Sequence, residues 1–381
     1  MPDKLPSQHV TIFTVMSALA NEVGAINVSQ GFPDYHIDPV LSKYLSDATT
    51  SGWNQYAPMP GVPVLRQGVA TKYKLAHGCD VNPDTEITIT PGATAALFTA
   101  IAAAVQAGDE VIIFEPCYDS YAPSIRTLGA VVKSSPLLPT SYTPDWDHVR
   151  SIITEKTKLI IVNSPHNPCG SILSSADIDQ LADIAERNNL LVLSDEVYEL
   201  VTFDGYKHHS VLSHPLLCER SFVVTSFGKT FHITGWKIGA CVACEELTRA
   251  FRAVHQYLSF CVNAPAQVAL ARYMDEPERY LSLNTFFEEK RNLFRSLIAS
   301  TRWDVLPCRG SYFQLLGYTN ISDESDVDFA KRITREHGIA TIPLSPFFIN
   351  STSNDQRIVR VCFAKQTDTL VAAAERLASV C

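Results

Sequence analysis

The chain has 381 residues, 46% of them hydrophobic and 19% charged, which is ample apolar material for two or three packed domains. A formal net charge of -9 argues against the basic surface that nucleic-acid binding uses, and no apolar run reaches the roughly 18 residues of a membrane span. The opening MPDKLPSQHVTIFTVMSALANEVG has scattered charge and no signal-peptide architecture, so a cytoplasmic location is expected.

Taken in order, Ile12 to Val23 has helical spacing, and AINVSQGFPD reads as a strand entering a glycine-proline turn. Residues 1–35 are therefore expected to form an arm and part of a small domain. Pro39 to Thr49 is helical, GWNQYAPMPGVPVLR is a polar, proline-rich loop, and Val64 to His77 is helical again. From Ile87 the pattern alternates between short apolar runs and helical stretches. The predicted strands lie in TITPG, DEVIIFEP, GAVVKSSPL, TKLIIVNSP, LLVLSDEVY, SFVVTSF and KIGACVA. The alanine-rich stretch after Gly92, Tyr121 to Leu128, Trp146 to Ile153 and Ser174 to Asn188 are the predicted helices between them.

The predicted class is α/β, a three-layer α/β/α domain over residues 36–275 with a mainly parallel central sheet. Charge and proline in MDEPERY, residues 274 to 280, mark the exit from it. A long polar-faced helix from about Ala271 to Ser300, RWDVLPCRGSYFQLLGY, a helix at Asp326 to Glu336, and RIVRVCFA follow. With the N-terminal segment, residues 276–381 are expected to make a smaller α+β domain. Ten dispersed cysteines fit buried thiols, and the close pair Cys241 and Cys244 has no second pair nearby to complete a metal site.

Four predicted strands end in polar or glycine-rich clusters: Gly92–Thr94, Asn163–Gly170, Asp195–Tyr198 and Ser226–Lys229. Ligands in open sheets bind beyond the carboxyl ends of the strands, where these clusters would meet. Lys229 sits in the turn SFGKT, and a lysine there is either a solvated surface residue or a Schiff-base nucleophile. Asp195 emerges from the apolar LLVLS, where it caps the following turn or pairs with a protonated heteroaromatic nitrogen. Tyr198, one helical turn on, is placed to reach an oxygen on such a ring. Gly92, Ala93 and Thr94 stand where a helix begins and can hold a dianion on free amides, with Ser226 and Lys237 adding a hydroxyl and a charge. An ordinary N-cap and a surface lysine are the plainer readings. Pyridoxal phosphate has all the handles that these groups would grasp.

The blocks INVSQGFPD, QYAPMPGVPVLR, PGATAAL, EPCYDSYAP, NSPHNPCG, SDEVYE, SFGKTFHITGWKIG and RVCFAK run through nearly the whole chain in order. In them the sequence resembles the fold-type I pyridoxal-phosphate aminotransferases, and within these the methionine and kynurenine (glutamine) branch. The resemblance implies that Lys229 binds pyridoxal 5'-phosphate covalently and acts as the base, with pyridoxamine 5'-phosphate as the intermediate form. It implies that Asp195 pairs with the ring nitrogen, that Tyr198 and Asn167 contact the phenolic oxygen, and that Tyr118 stacks on the ring. Amides at Gly92, Ala93 and Thr94, with Ser226 and Lys237, would hold the phosphate. Tyr56 would reach it from a neighbouring subunit, which makes a homodimer part of the expectation. Arg360 would bind the substrate carboxylate, helped by Asn167 and Gly31.

For the substrate side chain the candidate wall is Gly31, Phe32, Tyr35, His36, Tyr118, Phe227 and Phe260, although Phe227 and Phe260 fit core positions equally. No second arginine offers itself for a distal carboxylate, so neutral, apolar or aromatic amino acids are the expected donors and 2-oxo acids the acceptors, in a ping-pong sequence. A cysteine-conjugate β-lyase with the same cofactor is the nearest alternative. A regulatory or non-catalytic aminotransferase-like protein is more distant, because no basic helix-turn-helix module precedes residue 27.

Overall fold

The computed structural model describes residues 10–349 and 356–380. The first nine residues of the expected N-terminal arm, and Cys381, lie outside the described residues.

The helix Ile12–Val23 is capped by the Thr11 side chain and closed by Gly24 at φ 64°, a left-handed conformation that glycine adopts without penalty. The strand β1 (Ile26–Asn27) follows it. A seven-stranded sheet is then built from β2 (Ile87–Thr90), β3 (Glu110–Glu115), β4 (Val131–Pro136), β5 (Thr157–Asn163), β6 (Leu191–Asp195), β7 (Ser221–Ser226) and β8 (Gly239–Val242). Its order is β2-β8-β7-β6-β5-β3-β4, with β8 antiparallel to both neighbours and the remaining pairs parallel.

Side chains alternate across these strands, and both faces are buried. Val111, Ile113, Leu159, Ile161 and Leu193 join one core with Leu97, while Ile112, Phe114, Ile160, Val162 and Val192 join the other. A strand covered on both faces has no solvent side, which is why VIIF and LIIV are apolar without interruption. This is the three-layer arrangement expected from the sequence. Because β2, β3, β5, β6 and β7 point the same way, their carboxyl ends share one edge.

The remaining strands are β9 (Asp304–Val305), β10 (Phe313–Gly317), β11 (Ile339–Ala340), β12 (Ile342–Pro343) and β13 (Ile358–Cys362). Four of them form a second sheet in the order β12-β13-β10-β9, and β11 pairs in parallel with β1. The N-terminal segment continues along β13, where the Cys362 amide donates to the Val28 carbonyl at 2.8 Å. That crossing carries residues 29–32 to the edge where the large sheet's strands end.

The stretch expected to form one long helix over Ala271 to Ser300 is divided among the helices Ala264–Met274, Glu278–Leu281 and Leu283–Ile298. Pro277, which has no amide to donate, stands at the first break. Helices also occupy Glu245–Leu258 and Thr367–Ala378, where the spacing analysis assigned none. Both have acidic residues in the first turn and a basic residue in the last, the arrangement that complements the helix dipole.

Candidate active site

Strand register brings the four clusters together. Asn163 lies opposite Asp195 across β5 and β6, while Ser226 and Thr90 both lie opposite Gly239. Directly after β7 the chain makes a single helical turn, Phe227–Thr230, that carries Lys229. A Cβ on Gly228 would sit 2.9 Å from Thr234 Cα, so only glycine lets this turn pack against the following segment.

Lys229 Nζ donates to the Gly31 carbonyl at 2.9 Å, and Tyr312 Oη donates to the same oxygen at 2.9 Å. The ammonium lies 5.7 Å from the ring centroids of both Tyr198 and Tyr312. Burial pushes the Lys229 pKa down to about 8, which leaves an appreciable fraction of free amine near neutral pH.

Asp195 is buried at the end of β6, and burial pushes its carboxyl up to about 6. Tyr121 Oη donates to its Oδ2 at 2.6 Å and opposes that rise. A buried carboxylate with so little compensation is a ready partner for a cation. Tyr198 is buried one turn later, its ring edge-on to Tyr312 at 4.9 Å, and burial raises its hydroxyl pKa.

Arg360, on β13, is 1% exposed. One terminal nitrogen donates to Asn167 Oδ1 at 2.6 Å and the other to the Ser29 carbonyl at 2.9 Å, while the guanidinium stacks 3.9 Å from the Phe313 ring centroid. Its Nε is buried without a hydrogen-bond partner among the described residues. A stranded donor of this kind calls for an acceptor from outside the chain, and a carboxylate suits a guanidinium best. Asn167 is itself held in place by its amide, which donates to Asn163 Oδ1 at 2.8 Å.

At the other end, the helix Ala93–Ala104 begins at Gly92, whose φ is 83° and which gives its first amides no side-chain cap. Lys237 Nζ lies 3.1 Å from where a Gly92 Cβ would be. Ser226 is buried beside this group, whereas Thr94 and Lys237 are exposed. Uncapped helix amides, a hydroxyl and an ammonium together make an anion cradle. Gly239 underlies it: a Cβ there would be 2.8 Å from both the Ala93 amide nitrogen and the Thr225 carbonyl oxygen. Gly239→Ala is therefore expected to push the cradle apart and cost about 1–3 kcal/mol of stability, measured by urea unfolding. An unchanged unfolding midpoint would mean that the backbone yields there at no cost.

Two cavities meet at these residues. Ala93, Thr94, Leu97, Asp195 and Val197 belong to one, and Gly31, Phe32, Asp119, Thr234, Phe313 and Arg360 to the other; Tyr118, Asn167, Tyr198 and Lys229 line both. The first is lined by the aromatic ring of Tyr118, the Asp195 carboxylate, the Lys229 amine and the start of the anion-cradle helix at Ala93 and Thr94. These residues fit a flat, phosphorylated ring with a basic nitrogen and an aldehyde.

Other candidates lie elsewhere. Tyr35 packs its ring against His232 and Phe286 at 5.2 and 5.5 Å, and its hydroxyl donates to the Lys365 carbonyl, so it does not line the Lys229 cavities. Phe227 is buried in the core and stacks on Phe231. Phe260, just past the helix Glu245–Leu258, has a left-handed φ of 62° that turns it outward; it is 43% exposed and edge-on to Tyr56, which is 83% exposed. Neither Phe260 nor Tyr56 lines a cavity containing Lys229 of its own chain. Gly31 lines the cavity that holds Lys229 and Arg360, and its carbonyl accepts from the lysine.

Sequence reasoning missed Tyr121, Tyr312 and Asp119. Asp119 and Tyr121 follow the noted Tyr118 in YDSY, which was a usable signal. For Tyr312 there was none, because its contact with Gly31 spans 281 positions.

The chain matches the family "Aminotransferase class I and II" over residues 23–377. It is 47% identical over 375 residues to a methionine aminotransferase of Escherichia coli (strain K12), covering 98% of this chain and 97% of that protein. It is 35% identical over 377 residues to a probable N-succinyldiaminopimelate aminotransferase of Mycobacterium tuberculosis (strain H37Rv), covering 96% and 95%. Among solved structures, an Escherichia coli protein identified with a methionine aminotransferase function superposes with a TM-score of 0.97 at 46% identity, over 100% of this chain and 99% of that one.

Proposed function

The chain belongs to the class I and II aminotransferases, and on that premise we propose that it transfers the amino group of an L-amino acid with a neutral, apolar or aromatic side chain to a 2-oxo acid, using pyridoxal 5'-phosphate. Methionine, the aromatic amino acids, kynurenine and glutamine are the donors this reading admits. The observation that carries it is the Lys229 amine standing between a buried carboxylate, Asp195, and a buried guanidinium, Arg360, with an unsatisfied Nε.

When bound, the cofactor supplies a covalent handle for the substrate amine and an electron sink for the α-carbon. Asp195 would hold the ring nitrogen protonated, since a buried anion favours a cation beside it. Tyr198 and Asn167 would orient the ring through its phenolic oxygen. The helix end at Gly92, with Ser226 and Lys237, would hold the phosphate. Arg360 and Asn167 grip the substrate carboxylate and so aim the α-hydrogen at Lys229 Nζ. That atom takes the proton and keeps it for return, at a pKa near the working pH where a base is most effective. The buried rings of Tyr198, Tyr312 and Phe313 keep water from the reacting atoms. A 2-oxo acid entering the same pocket afterwards makes the sequence ping-pong.

We further read the enzyme as a homodimer in which Tyr56 completes the phosphate site of the other copy. What supports this is the exposed Tyr56–Phe260 pair, large apolar surface that lines neither cavity containing Lys229 of its own chain. A cytoplasmic location is supported by the unpaired thiols among the described residues.

The test is a matrix of amino donors against 2-oxo acceptors. Methionine and the aromatic amino acids are expected to yield new amino acid, with parallel-line initial-rate kinetics. Ammonia and pyruvate released from a cysteine conjugate, with no transfer to any acceptor, would replace this reading with the β-lyase one.

A further inference from the structure

We propose that Asp119 keeps a second carboxylate out of the substrate pocket, and thereby confines the enzyme to amino acids and oxo acids whose side chains carry no negative charge. This rests on the transaminase reading and adds to it the residue that sets charge selectivity.

Asp119 follows Tyr118 beyond β3 and faces the cavity that holds Lys229, Asn167 and Arg360. The charged side chains lining that cavity are Asp119, Lys229 and Arg360. Neither cation makes a hydrogen bond or salt bridge to Asp119 among the described residues. Arg360 spends its terminal nitrogens on Asn167 and Ser29 and its face on Phe313, and Lys229 donates to Gly31. Burial pushes the Asp119 carboxyl up, and Arg360 is the cation that pulls it back. Arg126 and Lys331 line the adjoining cavity, on whose wall Asp119 also stands, but neither lines the one with Lys229.

Once the α-carboxylate of a substrate occupies Arg360 and the Lys229 amine is engaged in chemistry, Asp119 is the charge left on the wall. A distal carboxylate brought into that space meets a like charge in a partly desolvated site and no cation to offset it. Selectivity of this kind comes from a repulsive element rather than from a better fit to the preferred ligand. An uncharged thioether or aromatic side chain loses nothing there, and a side chain with hydrogen-bond donors gains an acceptor.

The experiment compares wild type, Asp119→Asn and Asp119→Glu as holoenzymes. Two ratios are read: kcat/KM for 2-oxoglutarate over kcat/KM for 4-methylthio-2-oxobutanoate, and the affinity for glutarate over that for pentanoate, followed by the cofactor's visible absorbance. Asp119→Asn is expected to raise both ratios by about tenfold, the change that ~1.4 kcal/mol of lost repulsion produces. Asp119→Glu, which keeps the charge, is expected to leave them low. Ratios that stay at the wild-type value in Asp119→Asn, or that rise equally in Asp119→Glu, overturn the proposal. Because the binding ratio needs no turnover, a wild-type enzyme unable to transaminate any of the admitted donors would refute the functional reading while Asp119 could still be judged.

Discussion

Replacing Lys229 with alanine is expected to lower the rate of the amino-acid half-reaction by at least about 10⁴-fold, because one atom serves as both covalent anchor and base. The nearest hydroxyls and thiol cannot take over the proton. Burial raises the hydroxyl pKa of Tyr198 and Tyr312 and the thiol pKa of Cys362, so all three stay protonated at neutral pH. Lys229→Arg should fail as completely, since a guanidinium fills the space but does not give up its proton. Stopped-flow single turnovers measure the rate, and borohydride treatment followed by mass spectrometry reports whether the cofactor is tied to the chain. Added methylamine should restore part of the rate in Lys229→Ala and none in Lys229→Arg, where the space is filled. A Lys229→Ala enzyme that turns over near the wild-type rate would remove this lysine from the mechanism.

Asp195→Asn is expected to reduce kcat by about 10²–10³-fold while the protein gains stability without cofactor. Both effects come from one buried charge. The Asp195 carboxyl sits at about 6 in the fold, against an ordinary value of 3.8, so the folded chain holds its proton more tightly than the unfolded chain does. With that sign, stability falls as pH rises from about 4 to about 6, and above this window the ionised group costs about 3 kcal/mol. Asparagine removes the cost and keeps the shape. Urea unfolding of the apoprotein should therefore show Asp195→Asn more stable than wild type at pH 8, with the difference vanishing near pH 4. A difference independent of pH would refute the burial account. Cofactor should reverse the order, because its cationic nitrogen gives the carboxylate the partner it lacks.

The two variants also show why parts of the site were legible and parts were not. Asp195, Asn167 and Lys229 each follow an apolar strand within a few residues. Parallel strands buried on both faces leave a plain mark in sequence, and their ends must share an edge. Period and turn chemistry therefore sufficed to bring them together. The run from Ala271 to Ser300 misled because helical spacing continues across Pro277 although the backbone does not. Whether Phe260 faces the core or solvent could not be read from composition, and in the fold it stands 43% exposed at a left-handed φ of 62°.

By itself the sequence determined the layers, the mainly parallel sheet, and the lysine, carboxylate and helix end that gather at one edge, because each is encoded within a few residues of its neighbours, whereas the antiparallel course of β8 was not foreseen. Only the tertiary structure decided what surrounds Lys229. Arg360 meets Asn167 across 193 positions and Tyr312 meets Gly31 across 281, contacts made when the N-terminal segment crosses β13. The same packing turned Tyr35 and Phe227 into other environments and left Asp119 without a salt-bridge partner among the described residues, on the wall of the Lys229 cavity. Local pattern specifies which residues end a strand, but which distant side chain lies opposite depends on how separate elements bury their apolar faces together.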